Sequence, residues 1–237
     1  MLEADAKIKF EVAQKNFENK SYKKAQELWL EILDYYPKNL SVLRNVALAF
    51  YHDDDLEKAQ MILKKIIKIN KKEPKALVML ILILERQDKI DETKKYIDLG
   101  LKENILDKHW EVKKELMLPT IFEDVKDIDE SRNELLKYIQ EVLESNKKIS
   151  LNMDFQLIKP VQFNLSYSQH NNLEINKKCA SFFRKIYPQL NNVHKLKNTS
   201  NSKIRIGFVS DYLTDHTIGK LFKGIILNLD KNKFDIK

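Results

Sequence analysis

Small side chains recur every 34 residues through the first hundred residues, and this spacing constrains the fold more than any other feature. One column holds Ala13, Ala47 and Ile81, and a second holds Ala25, Ala59 and Thr93. Two columns of larger residues keep the same period: Tyr22, Leu56 and Ile90, and Trp29, Leu63 and Ile97. Such a period is typical of a helix pair that stacks on its neighbours. We therefore predict helix pairs over residues 5–35, 40–70 and 74–104.

The turns inside these pairs also repeat. Asp54 and Asp88 lie 34 residues apart, and each can cap the helix that follows, because a carboxylate accepts hydrogen bonds from backbone N–H groups. Lys20 holds the matching place in the first copy and cannot cap. Ser21 beside it can, so we expect a cap at every one of these turns.

The period and the residue types resemble those of tetratricopeptide repeats. The third copy is degenerate, as terminal repeats often are, since Gly100 stands where Ile32 and Ile66 stand in the earlier copies. The resemblance implies a curved α-solenoid surface that binds an acceptor or partner protein. A structural spacer is the alternative role for such repeats.

Some members of the repeat family grip a peptide backbone with a ladder of asparagines on the inner face. Asn45 stands at that position in the second copy, but Glu11 and Met79 occupy it in the other two. The sequence therefore argues against an asparagine ladder as the way in which these repeats bind.

A helical linker region is predicted to follow. Trp110 is placed to cover the last repeat, and the segment Leu118–Phe122 breaks the helical pattern because it contains a proline. Helices are predicted over Ile128–Leu143 and Leu173–Tyr187. The second helix carries two overlapping apolar stripes, Ala180, Phe183, Ile186 and Tyr187, and Cys179, Phe182 and Ile186. This context predicts that Cys179 is a packing residue and not a nucleophile.

The last 35 residues follow a different pattern. After a polar linker at Pro188–Ser202, a strand is predicted over Ile204–Val209, then a helix with apolar residues from Ile218 to Ile226, then a second strand at Lys233–Lys237. This order is the opening β-α-β unit of a doubly wound parallel sheet. Because such a sheet needs more strands, we expect the chain to be the front part of a larger protein or a natural truncation of one.

Together these features resemble the SPINDLY-like branch of the O-linked N-acetylglucosamine transferase family. The resemblance rests on the repeats, the Leu118–Asp124 turn, the Pro160–Tyr167 stretch before a helix, and the pattern Ile-Gly-Phe-Val-Ser followed by Asp-His within Ile204–Phe222. Thr217 departs from the proline or serine that often follows the histidine in the family.

The resemblance implies a mainly α chain that leads into a GT-B (Rossmann-like) glycosyltransferase. The implied domains are repeats over 1–106, a helical linker over 107–202 and the start of the catalytic domain over 203–237. The implied reaction moves a sugar from a nucleotide-sugar such as UDP-GlcNAc to Ser or Thr of a protein. The family holds that donor mainly in a second catalytic domain, so we expect no cofactor site and no turnover in this chain.

His216 matches the active-site histidine of the family. It lies past the carboxyl end of the first predicted strand, where open α/β sheets bind ligands, and at a helix N-terminus, which favours a neutral imidazole. The alternative is a histidine that only caps the helix. Asp215 is the predicted N-cap, and Asp211 a loop acceptor.

Composition excludes several classes of protein. The net charge is +7 at a pI of about 9.1, but the lysines alternate with acids, and the cluster Lys64–Lys75 lacks interleaved aromatics, so we do not expect nucleic-acid binding. With Cys179 as the single cysteine, neither a disulfide nor a cysteine-rich metal site is expected. The sequence shows no membrane span and no signal peptide, which favours a cytoplasmic protein. A stand-alone tetratricopeptide binding module without catalysis is the alternative to the glycosyltransferase.

Overall fold

The computed structural model of the chain describes residues 3–145, 164–168, 170–191 and 203–236. The chain divides into two compact units, Met1–Asn192 and Val193–Lys237. Each unit has its own secondary structure and is described separately.

The first unit begins with six helices that form the three predicted pairs. These are α1 (Glu3–Glu18), α2 (Tyr22–Tyr35), α3 (Leu40–His52), α4 (Leu56–Ile69), α5 (Pro74–Arg86) and α6 (Ile90–Lys102). The helices α2, α4 and α6 begin 34 residues apart, as do α3 and α5. Each helix packs on the next along the chain, and the short turns between them make neighbours antiparallel. The 34-residue period is therefore a structural repeat.

The recurring positions of the two columns of mostly small residues lie in the interior of the repeats. All six of them have 0% exposure: Ala13, Ala25, Ala47, Ala59, Ile81 and Thr93. The large column of Trp29, Leu63 and Ile97 is also buried, at 1% exposure or less. Small residues allow close approach and the large ones fill the space between repeats, which confirms the prediction from the period.

The turn residues have a different role from the one predicted. The φ angles of Lys20, Asp54 and Asp88 are 61°, 62° and 57°, in the left-handed region that aspartate tolerates better than most residues. Neither aspartate caps the next helix. The N-cap of α4 is Asp55, whose carboxylate accepts from the Lys58 N–H at 3.1 Å. The recurrence of Asp54 and Asp88 therefore reflects the backbone of the turn, and the prediction of caps there was wrong.

The other two turns also lack the expected cap. Ser21 precedes α2 and Lys89 precedes α6, and neither side chain makes a capping hydrogen bond. The Asp88 carboxylate accepts instead from the N–H groups of Thr120 and Ile121, at 2.8 to 3.3 Å. It thereby fixes the irregular segment that follows the repeats.

In the degenerate third copy, the space beside Gly100 is filled by a residue that follows the copy. A Cβ on Gly100 would lie within 3.0 Å of the Leu106 and Leu77 side chains. Leu106 thus occupies the space that an isoleucine would need at this position. Trp110, in helix α7 (Lys108–Glu115), is 6% exposed and packs in the core of the repeats, as predicted for a residue that covers their end.

A second core includes Val112 of α7. It is built mainly from α8 (Val125–Glu144) and α9 (Leu173–Ile186), with single 3-10 turns at Asn164–Tyr167 and Pro188–Asn191. Its buried residues in α9 are Ile175, Cys179, Phe182 and Ile186. Cys179 is 2% exposed and serves as a packing residue, as predicted. Of the other predicted stripe, Phe183, Ile186 and Tyr187 contribute to this core, but Ala180 is exposed and was wrongly included. The predicted features at residues 160–163 and 192–202 lie outside the described residues.

The second unit contains β1 (Ile204–Ile206), α10 (Thr217–Asn228) and β2 (Phe234–Ile236). The strands pair in parallel, with Ile204 opposite Phe234. The predicted strand continued to Val209, whereas β1 ends at Ile206, the last residue that pairs with β2, and Val209 is 97% exposed. No residue of α10 is buried, and its large apolar side chains other than Ile226 are exposed in the described part of this unit.

Candidate functional site

The repeats present an apolar groove between α3 and α5. These helices are the first helices of successive repeats. Pro74 lies in the first turn of α5, where a backbone N–H has no partner within the helix, so the missing N–H of proline does not destabilise it. The groove has a volume of about 460 Å³. Its lining residues are Leu48, Tyr51, Pro74, Lys75, Val78, Met79 and Leu82.

Two leucines of the groove are exposed although they are apolar. Leu48 is 36% exposed and Leu82 is 47% exposed, and they lie 34 residues apart at the same position of two repeats. Met79, which replaces the asparagine of a ladder, contributes to the lining. Asn45 is half-buried and is not part of it. The groove is therefore suited to apolar side chains, and not to backbone recognition by a row of amides.

The polar groups at the groove are few. Lys75 and Tyr51 are its only titratable side chains, and Arg44 pairs with Glu73 at the start of α5. The lining of the groove therefore holds no carboxylate beside a base, and its surface is mainly apolar.

The predicted catalytic residue His216 lies at the start of α10 in the second unit. It is the N-cap, and its Nδ1 accepts from the Ile218 N–H at 3.2 Å. A ring nitrogen that accepts carries no proton, so the proton of the neutral ring is on Nε2. The Tyr212 ring packs on the imidazole with centroids 4.6 Å apart. Asp215, the predicted N-cap, pairs instead with Lys220 at 2.9 Å, and that prediction was wrong.

The loop before His216 is held against the helix by a glycine. A Cβ on Gly219 would lie within 3.0 Å of the carbonyl oxygens of Thr214 and Tyr212. Only a residue without a side chain allows this approach. A Cβ on Gly224, five residues further along α10, would meet nothing within 4 Å.

We expect Gly219→Ala to displace the 212–214 loop and weaken the His216 cap. The Ile218 amide should then exchange with solvent faster, by at least fivefold. Gly224→Ala is the matched control and should leave that exchange unchanged, since alanine there only favours the helix. Equal exchange rates in the two variants, measured by NMR, would show that the glycine does not position the loop.

The described residues were also compared with what a small ligand, a metal ion, a membrane or a nucleic acid would need. A cleft of about 400 Å³ lies beside the 213–215 loop and α10, but His216 is not part of its lining. Within the described ranges there is no group of three side chains that could hold a metal ion. The same ranges contain no helix long and apolar enough to cross a membrane. In the basic cluster, Lys64 pairs with Glu92.

Comparisons with known proteins support the fold. No protein-family model and no curated protein matches the chain. A MamA double mutant (MamA RS-1 ArsTM) is similar at 12% identity over 76% of this chain and 93% of that chain, with a TM-score of 0.50. The first TPR of Spaghetti (RPAP3), bound to an HSP90 peptide, matches at 18% identity over 56% of this chain and 92% of that one, with a TM-score of 0.38.

A mutant O-GlcNAc transferase of Thermobaculum terrenum is also similar, at 12% identity and a TM-score of 0.41. The match covers 98% of this chain but only 36% of the transferase chain. At 12% identity, the likeness to the MamA structure shows the fold and nothing more. The chain is a mainly helical protein whose first hundred residues fold as tetratricopeptide-type repeats.

Proposed function

We propose that this protein binds a segment of a partner protein in the groove between α3 and α5. The observation that carries the proposal is the pair of exposed leucines, Leu48 and Leu82, on a groove lined almost entirely by apolar side chains. Burial of such side chains by a partner removes apolar surface from water, which drives association. An apolar side chain of the partner is the expected anchor.

The proposal extends to the class of protein. We propose that the chain is the N-terminal portion of a SPINDLY-like protein O-glycosyltransferase, which acts in the cytoplasm and moves a sugar from a nucleotide-sugar to Ser or Thr. The support is the sequence pattern of Ile204–Phe222 and the parallel β1-α10-β2 order, with His216 at the start of α10. In this account 203–237 begins the GT-B domain after repeats at 1–106 and a linker at 107–202.

A stand-alone binding module without catalysis is the second candidate. The observation in its favour is that His216 already has a structural task, since its Nδ1 caps α10. In this case the second unit would have no catalytic role. Binding in the groove is common to both candidates, so its test does not depend on the choice between them.

The groove is tested by selecting peptides from a random library on the immobilised protein. We expect the selected peptides to share an apolar anchor. Leu82→Asp and Leu48→Asp should each weaken their binding roughly tenfold or more, because each removes apolar contact area. Met61→Asp is the control, since Met61 is 61% exposed on α4 and lies outside the groove. Unchanged affinity in both leucine variants would place the binding surface elsewhere.

A further inference from the structure

Helix α1 exposes apolar side chains at positions that are buried in the later repeats. Ile8 and Val12 are 62% and 47% exposed. The residues at the same two positions one and two repeats further on are at most 2% exposed: Val42, Val46, Ala76 and Leu80. The face that joins one repeat to the previous one is therefore left open on α1 in the part of the chain that the structure describes.

A preceding helix covers this face in the later repeats. α3 packs on α2, and α5 packs on α4. A helix that only closes the end of a repeat array is expected to be polar on its outer face, but Ile8 and Val12 are apolar. They lie four residues apart and so side by side on α1. Because burial of apolar side chains drives association, α1 offers a small apolar centre to another helix.

The same face of α1 carries opposite charges at its two ends. Asp5 lies three residues before Ile8, and Lys15 lies three residues after Val12, so all four share one side of the helix. Asp5 and Lys15 are exposed, and neither forms an ion pair with a residue that the structure describes. Along the helix the order is acidic, apolar, apolar, basic, which is complementary to a second copy of the helix turned end to end.

The charges select an antiparallel pair of helices. The four positions are placed symmetrically about Phe10. In an antiparallel pair, Ile8 of each copy therefore lies opposite Val12 of the other copy, and Asp5 opposite Lys15. A parallel pair would instead bring each charged side chain to its own equivalent, and like charges at such a distance are destabilising. The antiparallel pair uses the same surface on both copies, as a two-fold dimer requires.

We infer that two copies of this protein associate through α1, antiparallel, about a two-fold axis that passes close to Phe10. Ile8 and Val12 of both copies form the apolar centre, and an Asp5–Lys15 pair lies on each side of it. The contact is small, so the dimer exchanges with the monomer. No residue of α1 lines the groove between α3 and α5, so the dimer carries two copies of that groove.

Sedimentation equilibrium of the full chain tests the association. We expect the mean mass to rise from 28.1 kDa towards twice that value between about 10 µM and about 1 mM protein, where weak dimers form. Ile8→Asp should weaken the dimer at least tenfold, because it places a charge in the apolar centre. Met61→Asp is the matched control, since Met61 is 61% exposed on α4, and it should leave the dimer unchanged.

Reversal of the charges tests the arrangement of the two helices. Asp5→Lys and Lys15→Asp should each weaken the dimer at least fivefold, since like charges then meet. The double variant Asp5→Lys with Lys15→Asp should regain the affinity, although it opposes the helix dipole at both ends of α1. A more stable helix therefore cannot be the reason for that recovery.

Three results would overturn the inference. The first is a protein that stays monomeric up to the highest concentration. The second is an equal loss of association in Ile8→Asp and Met61→Asp. The third is a double charge reversal that stays as weak as the single variants. Association of a mixture of the two single variants, without that of the double variant, would show a parallel pair and would also contradict it.

Discussion

Replacement of Glu85 by alanine should lower the free energy of unfolding of the repeats by about 3–5 kcal/mol. The Lys113 ammonium donates to the Glu85 carboxylate at 2.7 Å, and the two side chains are only 5% and 13% exposed. Lys113 also lies over the Trp110 ring, 5.5 Å from its centroid. Without Glu85 a buried cation loses its carboxylate, and an uncompensated buried charge is far more costly than a lost surface contact. Urea denaturation gives the measurement.

The neighbouring residue provides a control for Glu85. Arg86 pairs with Asp54 at 3.0 Å, but these side chains are 52% and 74% exposed. Arg86→Ala should therefore cost no more than about 1 kcal/mol. The double variant Glu85→Leu with Lys113→Met should recover most of the stability lost in Glu85→Ala, because two apolar side chains replace the ion pair. Equal losses in Glu85→Ala and Arg86→Ala would contradict the view that α7 is fixed to α5 by a buried charge pair.

In a protein that joins this chain to a complete glycosyltransferase site, His216→Ala should lower the rate roughly 10²–10⁴-fold. Because Nδ1 of His216 caps α10, its second ring nitrogen, Nε2, is left to orient an acceptor hydroxyl or to move its proton. Loss of the cap alone should cost only about 1 kcal/mol of stability. The rate constant and the melting temperature are measured on the same preparation.

A second variant at this position separates the two roles of His216. Asparagine is a good N-cap residue, so His216→Asn should restore the melting temperature. It cannot replace Nε2, and the rate should stay low. A protein with His216→Asn that regains its rate together with its stability would assign the histidine to structure and would remove it as a catalytic residue.

The repeats were predictable because their signal is both local and periodic. A 34-residue period fixes which residues share a helix and which face each other, and the burial of Ala25, Ala59 and Trp29 follows from it. The left-handed turns at Asp54 and Asp88 were not predicted. An aspartate just before a helix is common both as an N-cap and in a left-handed turn, so the sequence does not distinguish the two.

Contacts across repeats were harder to predict. The pairing of Glu85 with Lys113 joins residues 28 apart, and nothing in either residue indicates burial. The predicted extension of β1 to Val209 rested on strand-forming side chains, which do not indicate whether a partner strand pairs with them.

The central claim is that the partner segment lies in the groove between α3 and α5, and hydrogen exchange tests it most directly. Exchange is followed by mass spectrometry with and without a library-selected peptide at saturating concentration. We predict slower exchange in peptides that cover residues 40–52 and 74–86, which are α3 and α5, and loss of this protection in Leu82→Asp. Protection confined to other helices, or unaffected by Leu82→Asp, would contradict the claim.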